Sequence, residues 1–281
     1  MGGIVWLASY PKSGNTWMRA FLHNLLTNAK EPVDPNRLDA FTLGNKAVGW
    51  YRPYVGDKPA VQITAEELAK HRKSVHRDFT QTSPDTVFVK THCFLGLDDT
   101  GTPLITMEYT AGAIYIVRNP LDVVLSMMPH FGLTADQAID YLGFVRNSMG
   151  GADENSVEEP VSTWSIHVKS WTAEPNPRLL VARYEDMLAK PAIVFGNVCR
   201  FLGLKPPQER LERAIRFSSF DTLRRLEDRK GFKERSKTAE RFFRAGRMGQ
   251  WRDKLSEAQI RRIVSEHREQ MDRFGYVPEG Y

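Results

Sequence analysis

Four short, almost unbroken apolar runs, at residues 4–7, 87–89, 113–117 and 179–181, constrain this chain more than any other feature. None is long enough for a helix. Continuous apolar character marks strands covered on both faces, which is the condition of a parallel sheet. Helical patterns separate or follow them. Met18, Phe21, Leu22 and Leu25 form an i, i+3, i+4, i+7 stripe, and Trp164, Val168 and Trp171 share another face. Asn119-Pro120 offers an N-cap followed by proline at the first helical position. Thr134-Ala135-Asp136-Gln137 and Ser256-Glu257-Ala258-Gln259 read as capping boxes, with Gly275 as the stop of the last helix. The expected fold is α/β: one domain over 1–281 with a central parallel sheet flanked by helices. No internal repeat or low-complexity tract interrupts it. The glycine-rich, polar segment 147–160, which includes Met149-Gly150-Gly151-Ala152-Asp153-Glu154, is expected to be a mobile surface loop.

Composition narrows the class. Of 281 residues, 41% are hydrophobic and 26% charged, enough to bury a sizeable core and too polar for a membrane-embedded chain. No apolar run approaches the ~20 residues needed to cross a bilayer. The run at 4–10 lacks a basic leader and meets Pro11 and Lys12 at once, unlike a secretory signal. Two cysteines, Cys93 and Cys199, build neither a disulfide framework nor a thiolate metal site. The remaining histidines show no metal-ligand spacing, so no metal is expected. These features favour the cytoplasm. The net charge of +5 is mild for a nucleic-acid binder. Much of the excess lies in one stretch with Arg224, Arg225, Arg229, Lys230, Lys233, Arg235, Lys237, Arg241, Arg244 and Arg247. Such a stretch is either a solvated face or a cationic lid over an anionic ligand.

In a parallel α/β sheet the carboxyl ends of the strands share one edge, where ligands bind. The four runs end in or beside Lys12 with Ser13, Lys90 with His92, Arg118, and Arg183 with Tyr184. Cations gathered on one edge repel unless an anion neutralises them, so a polyanionic ligand is expected. Pro11-Lys12-Ser13-Gly14-Asn15-Thr16 supplies a P-loop-like cradle, because it turns a strand into a helix whose first N–H groups are unpaired. It is not the loop of the NTPases, which requires a Gly-Lys pair that this chain lacks, and no Gly-x-Gly-x-x-Gly fingerprint is present.

These segments carry a resemblance. Tyr10-Pro11-Lys12-Ser13-Gly14-Asn15-Thr16-Trp17 differs only at Asn15, for threonine, from a signature of the cytosolic-type sulfotransferases. In that family the loop holds the 5′-phosphosulfate of 3′-phosphoadenosine 5′-phosphosulfate (PAPS). Val117-Arg118-Asn119-Pro120-Leu121-Asp122-Val123-Val124-Leu125-Ser126 is similar to the 3′-phosphate segment, which implies that role for Arg118 and Ser126. Lys90-Thr91-His92 resembles the family's Lys-Thr-His, which makes His92 the implied general base. Arg183-Tyr184-Glu185-Asp186 implies an adenine contact for Tyr184. Ser218-Ser219-Phe220 implies a hydroxyl from Ser218, and Phe220 opposite Trp17 across the base. The run from Phe242 to Trp251 looks like the late segment that closes over the 3′-phosphate, placing Arg244, Ala245 and Gly246 on the donor. It departs from the pattern at Ala245, usually lysine, and Gln250, usually aspartate, with Arg247 adding charge nearby. The opening stretch is closer to bacterial members than to animal ones. The animal dimerisation motif is absent, leaving oligomeric state open.

The resemblance implies a PAPS-dependent sulfotransferase that releases PAP, the desulfonated 3′-phosphoadenosine 5′-phosphate. His92, Lys12 and Lys90 would be its catalytic groups. In an extended segment Lys90 and His92 point to one side and Thr91 and Cys93 to the other, which argues against a Cys93–His92 nucleophile pair. Lys12 would neutralise charge on the bridging oxygen while amides of residues 14–16 hold the 5′-phosphate. The acceptor is expected to be a small or medium-sized molecule offering a hydroxyl, or an amine. It would be lined by segments 41–54, 94–107 and 128–164, whose aromatics suit an apolar or ring-bearing compound. No nucleic-acid or membrane partner is expected. Competing readings are a nucleotide kinase or NTPase on a related fold, and a basic nucleic-acid-binding module with steeply salt-dependent affinity.

Overall fold

Strand β1 (Ile4–Ser9) is buried along its whole length, as its unbroken apolar run requires of a strand covered on both faces. The computed structural model describes residues 2–151 and 153–281. It orders the five main strands as β2 (Thr42–Gly44), β3 (Val87–Thr91), β1, β4 (Thr110–Val117) and β7 (Leu179–Arg183) across the sheet. In chain order the first elements are β1, α1 (Asn15–Leu26), β2 (Thr42–Gly44), α2 (Arg52–Val55), α3 (Ala65–Gln81), β3 (Val87–Thr91) and β4 (Thr110–Val117). There follow α4 (Pro120–Phe131), α5 (Ala135–Gly143), the short strands β5 (Ser148–Met149) and β6 (Glu159–Pro160), α6 (Trp164–Thr172) and β7 (Leu179–Arg183). The chain then continues through α7 (Tyr184–Ala189), α8 (Pro191–Phe201), α9 (Gln208–Phe217), α10 (Phe220–Lys230), α11 (Trp251–Lys254) and α12 (Glu257–Arg273). The α/β expectation with a central parallel sheet holds: β1 runs parallel to β3 from the Ile4–Val87 pair to Ala8–Thr91, and β2 runs parallel to β3.

The chain divides into two compact units. The first comprises residues 1–10, 42–115 and 144–179, the second residues 11–41, 116–143 and 180–281. In the first, Trp6, Leu7, Val75, Phe79, Val89, Ile114, Tyr115 and Trp164 are buried, and the Trp6 ring meets His76 edge-on at 5.0 Å. In the second, Phe21 stacks on Phe195 with centroids 4.1 Å apart. Ala20, Leu38, Leu223, Phe232 and Phe243 form a cluster against which Trp17, Phe220 and Phe242 pack. Arg19 is buried there, yet its guanidinium reaches both Asp39 and Glu234 at 2.6 Å.

The helix signals hold in detail. Asn119 caps α4 by accepting from the Leu121 amide, and the Ser256–Gln259 box closes in both directions. So does the box of Thr134 and Gln137. A third box, Thr64 with Glu67 at the start of α3, was not anticipated, nor was the three-residue β2. Segment 147–160 is a correction. Its ends pair as the antiparallel β5–β6 ribbon, and the Val157 and Val48 amides bond to Lys46 and Asn155 carbonyls. Asn147, Ser156 and Glu159 are buried. Its glycines supply positive φ at Gly150 and Gly151 for a tight turn; Ala152 lies outside the described residues. Polar composition signalled mobility here because the partners of the polar groups are distant in sequence.

Buried histidines make stability depend on pH. Burial holds His76 and His167 at about 3 and His267 at about 4, against an ordinary 6.5. As pH falls below 6.5 the unfolded chain takes up these protons before the folded one does. The stabilisation is therefore complete above 6.5 and is lost progressively toward pH 3–4. At pH 5 the loss is on the order of 1–2 kcal/mol per histidine. Thermal melts from pH 7.5 to 5 should show Tm falling by several degrees; a flat profile would contradict the burial of these rings.

Candidate active site

The expected site residues fall into two groups, one in each unit. In the first unit β3 ends at Thr91, and His92 is the next residue. Its Nδ1 lies 2.7 Å from the Ser9 carbonyl oxygen at the end of β1. A carbonyl only accepts, so Nδ1 carries the proton and Nε2 keeps the lone pair. Burial, then the positive charge of Lys90, hold the imidazole well below its ordinary value, against the opposing bond to Ser9. A neutral imidazole with its lone pair on Nε2 has a free acceptor there at ordinary pH. Its main chain is tied as well. The N–H donates to Glu159 Oε1 at 3.1 Å, and the carbonyl accepts from His167 Nε2 at 3.0 Å. His167 Nδ1 in turn lies 2.9 Å from the Tyr115 hydroxyl.

Thr91 and Cys93 share a partner, as expected of side chains on one side: Thr91 Oγ1 donates to Glu159 Oε1 at 2.7 Å, and Cys93 Sγ lies 3.7 Å from the same oxygen. Burial, then the Glu159 charge, push the Cys93 thiol well up. It stays protonated and is no nucleophile.

The second group is built on the loop that follows β1. Lys12 and Gly14 have φ of 66° and 109°, the left-handed conformations that curl successive amides into an anion-binding concavity. Gly14 precedes α1 with no side-chain cap, and the first turn of α1 holds no acidic residue. Its leading N–H groups therefore face outward without side-chain competition. Gly14 has no substitute: an added Cβ would stand 2.8 Å from Tyr184 Cδ2. Arg118, just past β4, donates from Nη1 to the Lys12 carbonyl at 2.8 Å, with its guanidinium 4.3 Å above the Tyr184 ring. Trp17 meets the same ring edge-on at 5.8 Å, and the Lys12 ammonium sits 4.0 Å over Phe242. Asn15 and Thr16 are buried in the first turn of α1. Ser13 Oγ and Trp17 Nε1 are buried without a hydrogen-bond partner. Unspent donors beside an uncapped helix N-terminus fit a phosphate-bearing ligand.

The late segment is anchored at both ends. The Phe242 and Phe243 amides donate to the buried Glu227 carboxylate at 2.7 and 2.9 Å. The Gly249 amide donates to the buried Asp122 at 2.6 Å. Arg244, exposed, reaches the Leu125 carbonyl on α4 at 3.3 Å, one residue before the half-buried Ser126. Gly246 lies on Phe220, where a Cβ would be 2.3 Å from the ring. Ala245 contributes only backbone and a methyl group, and Gln250 donates to the Arg247 carbonyl at 3.3 Å. Ser218 is fully buried with its hydroxyl on the Ala214 carbonyl at 2.9 Å, and Trp17 and Phe220 pack against one cluster.

The basic stretch divides. Lys230, Lys233 and Arg241 pair with Asp34, Asp39 and Asp228, a solvated face, while Arg244 is drawn to α4. Sequence reasoning missed Glu159 and Glu227, lone carboxylates outside every motif. Glu185 lay inside a quoted motif without a role. It accepts from the Asn119 amide at 3.0 Å and from the Tyr276 hydroxyl at 2.7 Å.

A sulfotransferase-domain family model matches residues 4–275. The chain belongs to the sulfotransferase family. Its curated relatives include sulfotransferase 1E1 of Bos taurus, 25% identical across 94% of this chain and 82% of that protein. Cytosolic sulfotransferase 12 of Arabidopsis thaliana is 26% identical across 92% and 76%. Among solved structures, retinol dehydratase in complex with androsterone and the inactive cofactor PAP matches with a TM-score of 0.66 at 19% identity, covering 95% of this chain and 80% of that one. A mouse sulfotransferase complexed with PAP matches at 0.61, also 19% identical, covering 96% and 84%. These two likenesses establish the fold. No helix among the described residues is long and apolar enough to cross a membrane.

Gly14→Ala tests the loop. The strained φ and the collision with Tyr184 should weaken PAP binding by at least about tenfold, measured by titration calorimetry. Unchanged affinity would mean that this loop holds no phosphate.

Proposed function

We propose that the chain, acting as one functional domain over 1–281, transfers a sulfuryl group from PAPS to the hydroxyl, or the amine, of a small or medium-sized acceptor. The observation that carries this reading is the state of His92: buried, neutral, and with its lone pair directed to Nε2 by the Ser9 carbonyl. When bound, PAPS supplies a sulfuryl group whose bond to the 5′-phosphate oxygen breaks as the acceptor oxygen bonds to sulfur, releasing PAP.

The residues divide the work. His92 Nε2 takes the acceptor's hydroxyl proton. Lys12 and Lys90 offset the negative charge that shifts during transfer, the kind of electrostatic help that dominates such reactions. Amides of residues 14–16 with Ser13 hold the 5′-phosphate at the start of α1. Arg118, Ser126, Arg244 and the Ala245–Gly246 backbone hold the 3′-phosphate, with Arg247 nearby. Tyr184, Trp17, Phe220 and Ser218 surround the adenine. The relatives bear on the acceptor: two of the structural neighbours are complexes with androsterone and with retinol. Leu97, Met107, Phe144 and Val145, in the segments expected to line the acceptor, expose apolar side chains. Both cysteines are free and buried, in keeping with a cytoplasmic setting.

His92→Ala should lower kcat by about 10²–10⁴-fold while PAP still binds, and Lys12→Ala should lower it by about 10²-fold or more. Near-normal kcat in either purified variant would refute its role. Arg118→Ala should act chiefly on affinity, raising the PAP Kd about tenfold or more in calorimetry. Because His92 sits below its ordinary value, kcat/KM should stay level as pH drops through 6.5 and fall only at lower pH. An acid limb centred at or above 6.5 would argue for a different base.

A further inference from the structure

Where β3 ends, the sheet ladder stops serving its backbone, yet the chain at residues 91–94 remains buried or nearly so. Replacement partners come from one short strand and one helix. Glu159, only 2% exposed, gathers donors onto Oε1: the Thr91 hydroxyl at 2.7 Å, the His92 amide at 3.1 Å, the Asn45 side-chain amide at 3.1 Å and the Cys93 thiol at 3.7 Å. The Thr91 hydroxyl passes the support on by accepting from the Cys93 amide at 3.0 Å. Next to Glu159, the Pro160 carbonyl accepts from the Phe94 amide at 3.2 Å. From α6, His167 and Trp171 donate to the His92 and Cys93 carbonyls, both at 3.0 Å. Behind the carboxylate, Asn45 Oδ1 accepts from His76 Nε2 at 3.0 Å, fixing the Asn45 amide so that its NH₂ faces Glu159.

We infer that Glu159 is a positioning residue for the base: its buried Oε1 holds the main chain of His92 where the imidazole Nδ1 meets the Ser9 carbonyl. The inference rests on the role proposed for His92. A carboxylate whose only task was to fill space would not need four converging donors, and burying its charge is costly unless those donors are held. The bond to the His92 amide matters for chemistry because a shift of about 1 Å in a reacting group costs about 10²-fold in rate.

The test compares wild type with Glu159→Ala and Glu159→Gln, using PAPS with phenol or with pentafluorophenol, which is already ionised near neutral pH and needs no base. Glu159→Ala should lower kcat on phenol about 10²-fold, with far less loss on pentafluorophenol and an unchanged PAP Kd in calorimetry. Hydrogen exchange at the His92 amide, read by NMR without donor, should accelerate. Glu159→Gln keeps an acceptor oxygen and should restore kcat to within a few-fold of wild type. Equal losses on both phenols, a parallel loss of PAP affinity, or an amide that stays protected would overturn the inference and leave only a structural role. Should Glu159→Ala fail to fold, Asn45→Ala loosens the carboxylate without deleting it. It should lose several-fold on phenol alone, and an even loss on both acceptors would count against the inference. A wild-type enzyme that transfers nothing from PAPS to any acceptor sinks the proposed function itself, whereas an active wild type beside an unimpaired Glu159→Ala sinks only this assignment.

Discussion

A carboxylate bonded to backbone amides holds each of four separate segments of this molecule. Glu159 holds the His92 amide, Glu185 the Asn119 amide that follows Arg118, Glu227 the two amides before Arg244, and Asp122 the Gly249 amide after it. Loop backbone cannot be buried with its donors unspent, because each orphaned group costs roughly 1–3 kcal/mol. An ionised acceptor makes the stronger bond. Each acid thus performs two tasks, satisfying the chain and setting the register of the basic or basic-adjacent residue beside it.

The loop after β1 follows the opposite logic. The starts of α3, α4 and α12 are capped by side chains, at Thr64, Asn119 and Ser256, while α8 and α9 follow Lys190 and Pro207 without one. α1 begins at a left-handed glycine with no cap and no acid in its first turn. The cations around its positive end are placed by contacts with rings and carbonyls: Lys12 over Phe242, and Arg118 over Tyr184 and on the Lys12 carbonyl. Aromatic faces orient a cation without neutralising it, so the positive potential survives for an incoming anion.

The parts legible in the sequence were those whose cause is local. Continuous apolar runs read as buried strands, and N-caps and capping boxes marked helix starts, because the residues that satisfy each other lie within a few positions. Lys12 to Trp17, Arg118 and His92 were marked as candidates by their resemblance to sulfotransferase motifs, which are themselves contiguous in sequence. What escaped has causes distant in sequence. Thr42–Gly44 is a strand only because β3 lies beside it. Glu159 and Glu227 act on amides 67 and 15 residues away, and a single acid in a chain with 34 of them carries no pattern. Segment 147–160 looked loose for the same reason: its polar groups are paired, but with Lys46, Val48 and Thr91.

The backbone of Gly246 lies flat against the Phe220 ring, where there is no room for even one more carbon. That contact makes the identity of two residues interdependent, since any side chain at 246 demands a smaller group at 220. Drift at either position in a lineage is therefore expected to proceed in pairs, a larger residue at one place calling for a smaller one at the other.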